Sequence, residues 1–125
     1  DKTPKATAKL SALDADVISG DRFTKTEEAV EKIGNNVSLD PGNMNFEKPT
    51  EGKLTICGKS NSDNNTINVK WFSEDGSTRT DVIEFPHTQD YEEKTFEIKP
   101  VSGNQKVSFV FLPGSNFDFK WFRFN

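Results

Sequence analysis

Two side chains in this sequence carry the usual nucleophile and base chemistry, the thiol of Cys57 and the imidazole of His87. A hydrolase of the Ser-His or Cys-His type needs its nucleophile held against a base that a carboxylate orients. His87 lies in Phe85-Pro86-His87-Thr88, and no Gly-x-Ser-x-Gly elbow occurs anywhere, so it reads as a loop histidine. Cys57 falls in the apolar run Leu54-Thr55-Ile56-Cys57, where a thiol behaves as a small buried hydrophobe with a raised pKa. One cysteine and one histidine cannot build an internal disulfide or a Cys/His zinc site. No metal and no cofactor is expected.

Two further signatures fail on spacing. Gly52-Lys53-Leu54-Thr55-Ile56-Cys57-Gly58-Lys59-Ser60 has one residue too many between its glycines for a phosphate-cradling loop, and reads as a strand running into a turn. Asp14-x-Asp16 resembles the start of a calcium loop, but Ile18, Ser19 and Lys25 stand where a ligand, a glycine and a bidentate Glu belong. Twenty acidic residues always offer some carboxylate pair for glycoside hydrolysis, yet a domain this small rarely holds such a cleft. The chain is read as non-catalytic. What remains is a set of Asn, Asp, Thr and Lys side chains in turns, together with the single Tyr91. That mixture suits a sugar, whose hydroxyls need amides and carboxylates while its C–H face needs a ring. It equally describes ordinary solvated loops.

The elements that would position these residues are strands. From Leu13 onward, short alternating or apolar runs recur about every ten residues between turn clusters, which predicts an all-β sandwich or barrel. Nine strands are expected: 13–18, 36–39, 43–46, 53–58, 66–72, 81–85, 94–98, 105–112 and 117–124. Turns are expected at Asp40-Pro41-Gly42-Asn43, Ser62-Asp63-Asn64-Asn65, Glu74-Asp75-Gly76-Ser77, Ser102-Gly103-Asn104 and Pro113-Gly114-Ser115-Asn116. Only Thr26–Ile33 has a helical look. Ile67, Val69 and Trp71 share one face of a half-buried strand, and Val107, Phe109 and Phe111 repeat the pattern. The closing run Phe117-Asp118-Phe119-Lys120-Trp121-Phe122-Arg123-Phe124 interleaves aromatic and charged residues, and its apolar members are expected to plug the core.

At 125 residues the chain fits one domain at 10–125, preceded by a linker at 1–9 that carries Lys, Thr, Ala and Pro without apolar periodicity. The opening Asp1-Lys2-Thr3-Pro4 is too polar for a signal peptide, and no stretch approaches the roughly 20 apolar residues of a membrane span. A formal net charge of −4 with both signs scattered gives no footprint for nucleic acid or an anionic membrane. A lone thiol is compatible with an exported bacterial protein.

Three segments resemble a known family. Leu13-Asp14-Ala15-Asp16-Val17-Ile18-Ser19-Gly20 is similar to the opening of the family 6-like carbohydrate-binding modules, Gly34-Asn35-Asn36-Val37-Ser38-Leu39 to their second strand, and Ser115–Phe124 to their closing motif. The resemblance implies a β-sandwich of jelly-roll type. More narrowly, the runs 26–37, 54–60 and 109–115 resemble the family 71 accessory modules of family 2 β-galactosidases from Gram-positive bacteria. That likeness implies a lectin-like module, monomeric within a larger multidomain protein on a bacterial cell surface. It would bind glycans ending in β-galactose, as in lactose or N-acetyllactosamine, with neither nucleic acid nor membrane insertion as partner.

In the family the sugar site uses an aromatic from the loop before a late strand and an Asn of the closing motif, positions that fall here on Tyr91 and Asp118. The change from Asn to Asp removes a donor, which Asn116 is expected to replace. Lys25 and Lys94, chosen by loop position, are candidate donors to the axial hydroxyl of galactose. Family members often hold a structural calcium, but Lys120 stands at one of its carboxylate positions, so Lys120 is expected to pair with Asp14 or Asp16 instead. The rival expectation is a structural spacer of the same fold that binds no sugar.

Overall fold

The computed structural model describes residues 8–20, 22–34 and 36–125; residues 1–7 of the expected linker lie outside them. Eleven strands follow in order: β1 (Leu10–Ser11), β2 (Val17–Ser19), β3 (Thr24–Lys25), β4 (Val30–Ile33), β5 (Val37–Phe46), β6 (Lys53–Ser60), β7 (Asn64–Ser73), β8 (Thr78–Pro86), β9 (Glu92–Glu97), β10 (Gly103–Phe111) and β11 (Phe117–Phe124). They form two antiparallel sheets. One runs β3-β4-β11-β6-β9 with β1 also paired to β11, and the other runs β2-β5-β10-β7-β8. The chain is the expected β-sandwich jelly roll. No helix among the described residues is long and apolar enough to cross a membrane.

The core lies between the sheets and is largely aromatic. Phe85, Phe109, Phe111, Phe117, Phe119, Phe122 and Phe124 are each almost wholly buried, with Trp71 beside them. Phe109 of β10 meets Phe119 and Phe122 of β11 at ring separations of 5.4 and 5.0 Å, so the two central strands are joined face to face. Each fully buried ring contributes on the order of 1.5–3 kcal/mol of transfer free energy.

Three β-bulges decide which residues reach this core. In β11 the register steps from Phe119↔Gly58 to Trp121↔Cys57, so Lys120 is an extra residue. Phe117 and Phe119 point inward before it and Phe122 and Phe124 after it, which strict alternation would forbid. Trp121 is thereby left on the outer face, half-buried, contrary to the expectation that every apolar residue of this run plugs the core. In β5, Asp40 and Pro41 oppose the single Ser108, and Ser108 hydrogen-bonds Asp40. The expected turn at Asp40–Asn43 is this bulge, and two predicted strands are one. Gly42 permits it with φ +96, and a Cβ there would stand 2.3 Å from a carboxylate oxygen of Asp16. In β4, Glu31 and Lys32 oppose Asp118, between the pairs Ile33↔Phe117 and Val30↔Phe119.

That third bulge explains the false helical signal. Val30 and Ile33 are both buried at a spacing of three because Lys32 turns the chain at φ 56. Thr26–Ile33 is instead the end of a hairpin, with Thr26 closing its turn by accepting from the N–H groups of Glu28 and Ala29. Likewise the expected strand at 13–18 is a short 3-10 turn, Ala12–Asp14, capped by Ser11 and followed by β2.

Candidate functional site

Tyr91 precedes β9 and lies across the outer face of the first sheet, donating its hydroxyl to Glu31 Oε2 of β4 at 3.1 Å. Beneath that reach run β6 and β11, which supply Lys59 and Lys120 with ammonium groups 5.0 and 5.4 Å from the ring centroid. Asp118, directly opposite Lys59 in the ladder, has one carboxylate oxygen 3.8 Å from its ammonium. The other oxygen accepts the N–H of Lys32 at 2.9 Å. A left-handed, non-glycine Lys32 is strained by roughly 1–2 kcal/mol, and its bond to Asp118 offsets part of that cost. Two bulges therefore converge here, one presenting Glu31 and the Lys32 amide, the other Lys120.

Burial, then the bond to Glu31 and the nearby carboxylate of Asp118, push the Tyr91 phenol well above its usual pKa. The folded state thus holds a proton that the unfolded chain releases near pH 10. Stability from this group is complete below pH 10 and falls as pH rises further. Tyr91 is the sole tyrosine, so phenolate absorbance near 295 nm reports it alone. The expected result is no phenolate signal at pH 10–11 while the fold persists, and an abrupt rise on unfolding. A normal titration curve in the folded protein would show that the hydroxyl is free. Cys57, on the same face between these groups, has its thiol pushed up by burial.

The expected site residues fall in different places. Tyr91 and Asp118 are brought together. Asn116 is nearby in the closing loop but held by its main chain, its N–H donating to Asn65 Oδ1 at 2.9 Å and its carbonyl accepting from Ser60 Oγ at 2.7 Å. Lys25 and Lys94 sit on β3 and β9, opposite edges of the sheet, about 19 Å apart at the usual strand spacing. Lys94 opposes the inward-facing Ile56 and pairs with Glu92 at 3.4 Å, on the other face from Tyr91. Lys25 likewise opposes the inward-facing Val30, so neither lysine lies on the face that carries Tyr91. The expected partners of Lys120 are corrected as well: it approaches Tyr91, and neither Asp14 nor Asp16 pairs with it. Among the described residues no three His, Cys, Asp or Glu side chains gather in a group that could hold a metal ion.

Sequence reasoning missed Glu31 and Lys59. Glu31 lay inside the apparent helix, and Lys59 becomes visible only once β6 is registered against β11. Behind these groups the loops are tied by a buried knot. Asn65, wholly buried, donates to Ser60 Oγ at 2.7 Å and to the Phe85 carbonyl at 3.0 Å while accepting from Asn116. Thr88 Oγ1 accepts from the Ser60 N–H, which ties in the loop before Tyr91. At the other end of the sandwich, a cleft of about 290 Å³ is lined by Trp71, Arg79, Val101 and Gln105. There Trp71 is buried and Arg79 is engaged by Asp81 and the carbonyls of Lys99 and Pro100.

No family model and no curated protein matches the chain. Solved structures do. A family 6 carbohydrate-binding module of Clostridium stercorarium, in complex with cellobiose, superposes with a TM-score of 0.83 at 21% identity, over 98% of this chain and 96% of that one. The fold is that of the family 6 carbohydrate-binding modules. A second such module, from Clostridium cellulolyticum with xylose, gives 0.81 at 21% identity over 98% and 99% of the two chains. A β-1,3-glucan-binding family 6 module of Bacillus halodurans gives 0.81 at 17% over 99% of each. At these identities the family 6 likeness concerns architecture, and the ligand must be argued from the side chains.

Proposed function

We propose that the chain is a non-catalytic carbohydrate-binding module that recognises glycans ending in β-galactose, of lactose or N-acetyllactosamine type. The observation that carries this reading is the convergence of Glu31, Asp118, Lys59 and Lys120 on the half-exposed ring of Tyr91. Carboxylates accept from sugar hydroxyls, ammoniums donate to them, and the aromatic ring receives a C–H face. In this reading Lys59 and Lys120, in place of Lys25 and Lys94, are the donors to an axial hydroxyl. An exposed cation over a ring holds it by only about 0.5–1 kcal/mol, so a sugar displaces either ammonium at small cost and gains it as a donor. That three neighbours of the same fold are sugar binders supports the class of ligand. The choice of galactose rests on the family 71-like sequence runs. The same likeness assigns the module to a β-galactosidase of the pneumococcal surface type, as a monomeric unit displayed on the cell surface.

One shallow site predicts a weak Kd, on the order of 0.1–1 mM. A second reading, a spacer domain, is favoured by the prior engagement of Tyr91, whose hydroxyl is bonded and whose ring carries two cations. Calorimetric titration with lactose, N-acetyllactosamine, cellobiose and xylobiose separates the two. The expected outcome is saturable binding of the galactosides, weakened at least about tenfold in Tyr91→Ala through loss of the stacking ring. Silence toward all four sugars at tens of millimolar would establish the spacer.

A further inference from the structure

The outer face that carries Tyr91 continues to a second ring. Because Lys120 is the extra residue of the β11 bulge, Trp121 turns outward and stands half-exposed opposite Cys57. Cys57 lies two residues along β6 from Lys59, so Trp121 and the lysine beside Tyr91 stand on one face of the sheet. The surroundings repeat: Lys9 lies over Trp121 with its ammonium 4.3 Å from the ring centroid, as Lys59 and Lys120 lie over Tyr91. Cys57 lies on this face beside Trp121, within the electrostatic reach of Lys120, Glu93 and Lys9. Past Trp121, the hydroxyls of Thr55 and Thr95 meet at 2.9 Å, and Arg123 Nε has no acceptor.

We propose that Trp121 forms a second sugar subsite, so that this face takes an oligosaccharide of at least two residues laid along β6 and β11 from Tyr91 to Trp121. The inference rests on the glycan-binding reading of Tyr91 and adds to it the length and course of the ligand. Two half-exposed rings on one sheet face, each under a movable lysine, offer C–H faces of successive sugars in a β-linked chain two places to stack. An apolar peptide would meet charges on both sides of Cys57. A nucleic acid would face the carboxylates of Glu31, Asp118 and Glu93.

Trp121 is also the one indole such a ligand can reach, since Trp71 is buried and its Nε1–H donates to Asp81 at 2.9 Å. Matched pairs of sugars are titrated by calorimetry and by tryptophan emission: methyl β-galactoside with lactose, glucose with cellobiose, and xylose with xylobiose. The expected result is that the disaccharide of the preferred pair binds about fivefold to tenfold tighter than its monosaccharide and shifts the emission. Trp121→Ala reduces the disaccharide to monosaccharide affinity and leaves the monosaccharide unchanged. Trp121→Phe keeps a ring on the sheet, retaining most of the affinity while losing the emission change. Equal affinity within every pair and no effect of Trp121→Ala, with binding still lost in Tyr91→Ala, would overturn the second subsite alone. Binding of none of the six sugars would overturn both.

Discussion

Phe109→Ala is expected to destabilise the domain by about 3–5 kcal/mol, the cost of losing a large buried ring together with the cavity it leaves. Phe109 is wholly buried in the central strand β10, in contact with Phe119, Phe122 and Phe124 of the opposite sheet. All three partners belong to one strand. Relaxation that refilled the space would therefore have to move β11, which is pinned on both sides by β4 and β6. Since a domain of this size has only about 5–15 kcal/mol in hand, the variant should unfold at a much lower urea concentration with an unchanged slope. Phe72→Ala is the control, because Phe72 is 42% exposed on the outer face of the second sheet; its expected cost is below about 1 kcal/mol. Similar midpoints for the two variants would show that the sheets are not held together by the Phe109 contact.

Asn65→Leu should rank next, at about 3–5 kcal/mol, for a different reason. The side chain is wholly buried and satisfies three separate groups: Ser60 Oγ, the Phe85 carbonyl and the Asn116 N–H. Leucine keeps the approximate volume but strips the Phe85 carbonyl and the Asn116 N–H of their bonds to this side chain, at about 1–3 kcal/mol for each one stranded from water, while Ser60 Oγ loses one donor and keeps its bonds to the Asn116 carbonyl and the Ser62 N–H. The three lie in the segments around β6, β8 and the loop before β11, so the damage is concentrated at the end of the sandwich nearest Tyr91. Loss of stability should be accompanied by faster amide exchange at residues 61–63 and 112–116 than in the distant Ser73–Ser77 turn. A stable variant with unchanged exchange would mean that the knot is dispensable and the loops are held elsewhere.

Much of the strand framework was legible in the sequence, and the reason is local. Ile67, Val69 and Trp71 in β7, and Val107, Phe109 and Phe111 in β10, alternate without interruption and are all buried, because a strand with one wet face imposes a period of two on its residues. The turns at 74–77 and 113–116 were visible for the same reason, their residue types tolerating the backbone they adopt. Tyr91 and Asp118 were singled out through family likeness. No local signal says that they meet, since they are brought together only when β11 pairs with β6 and the loop before β9 folds over both.

The rest was hidden in the bulges. Phe117, Phe119, Phe122 and Phe124 carry two opposite alternations within eight residues, as do Val37, Leu39, Met44 and Phe46 within ten. Composition and alternation by themselves determined that this chain forms strands around an aromatic core, because burying so many large rings leaves few other solutions. They could not determine where each strand changes face, for that is set by which partner residues lie opposite. The tertiary structure decided it, placing Lys120 as the extra residue so that four phenylalanines go inward and Trp121 outward. It also turned an apparent helix into the strand that presents Glu31, and set Lys59 and Lys120 beside Tyr91. Register is a property of pairs of strands, so it emerges only when the sheet closes.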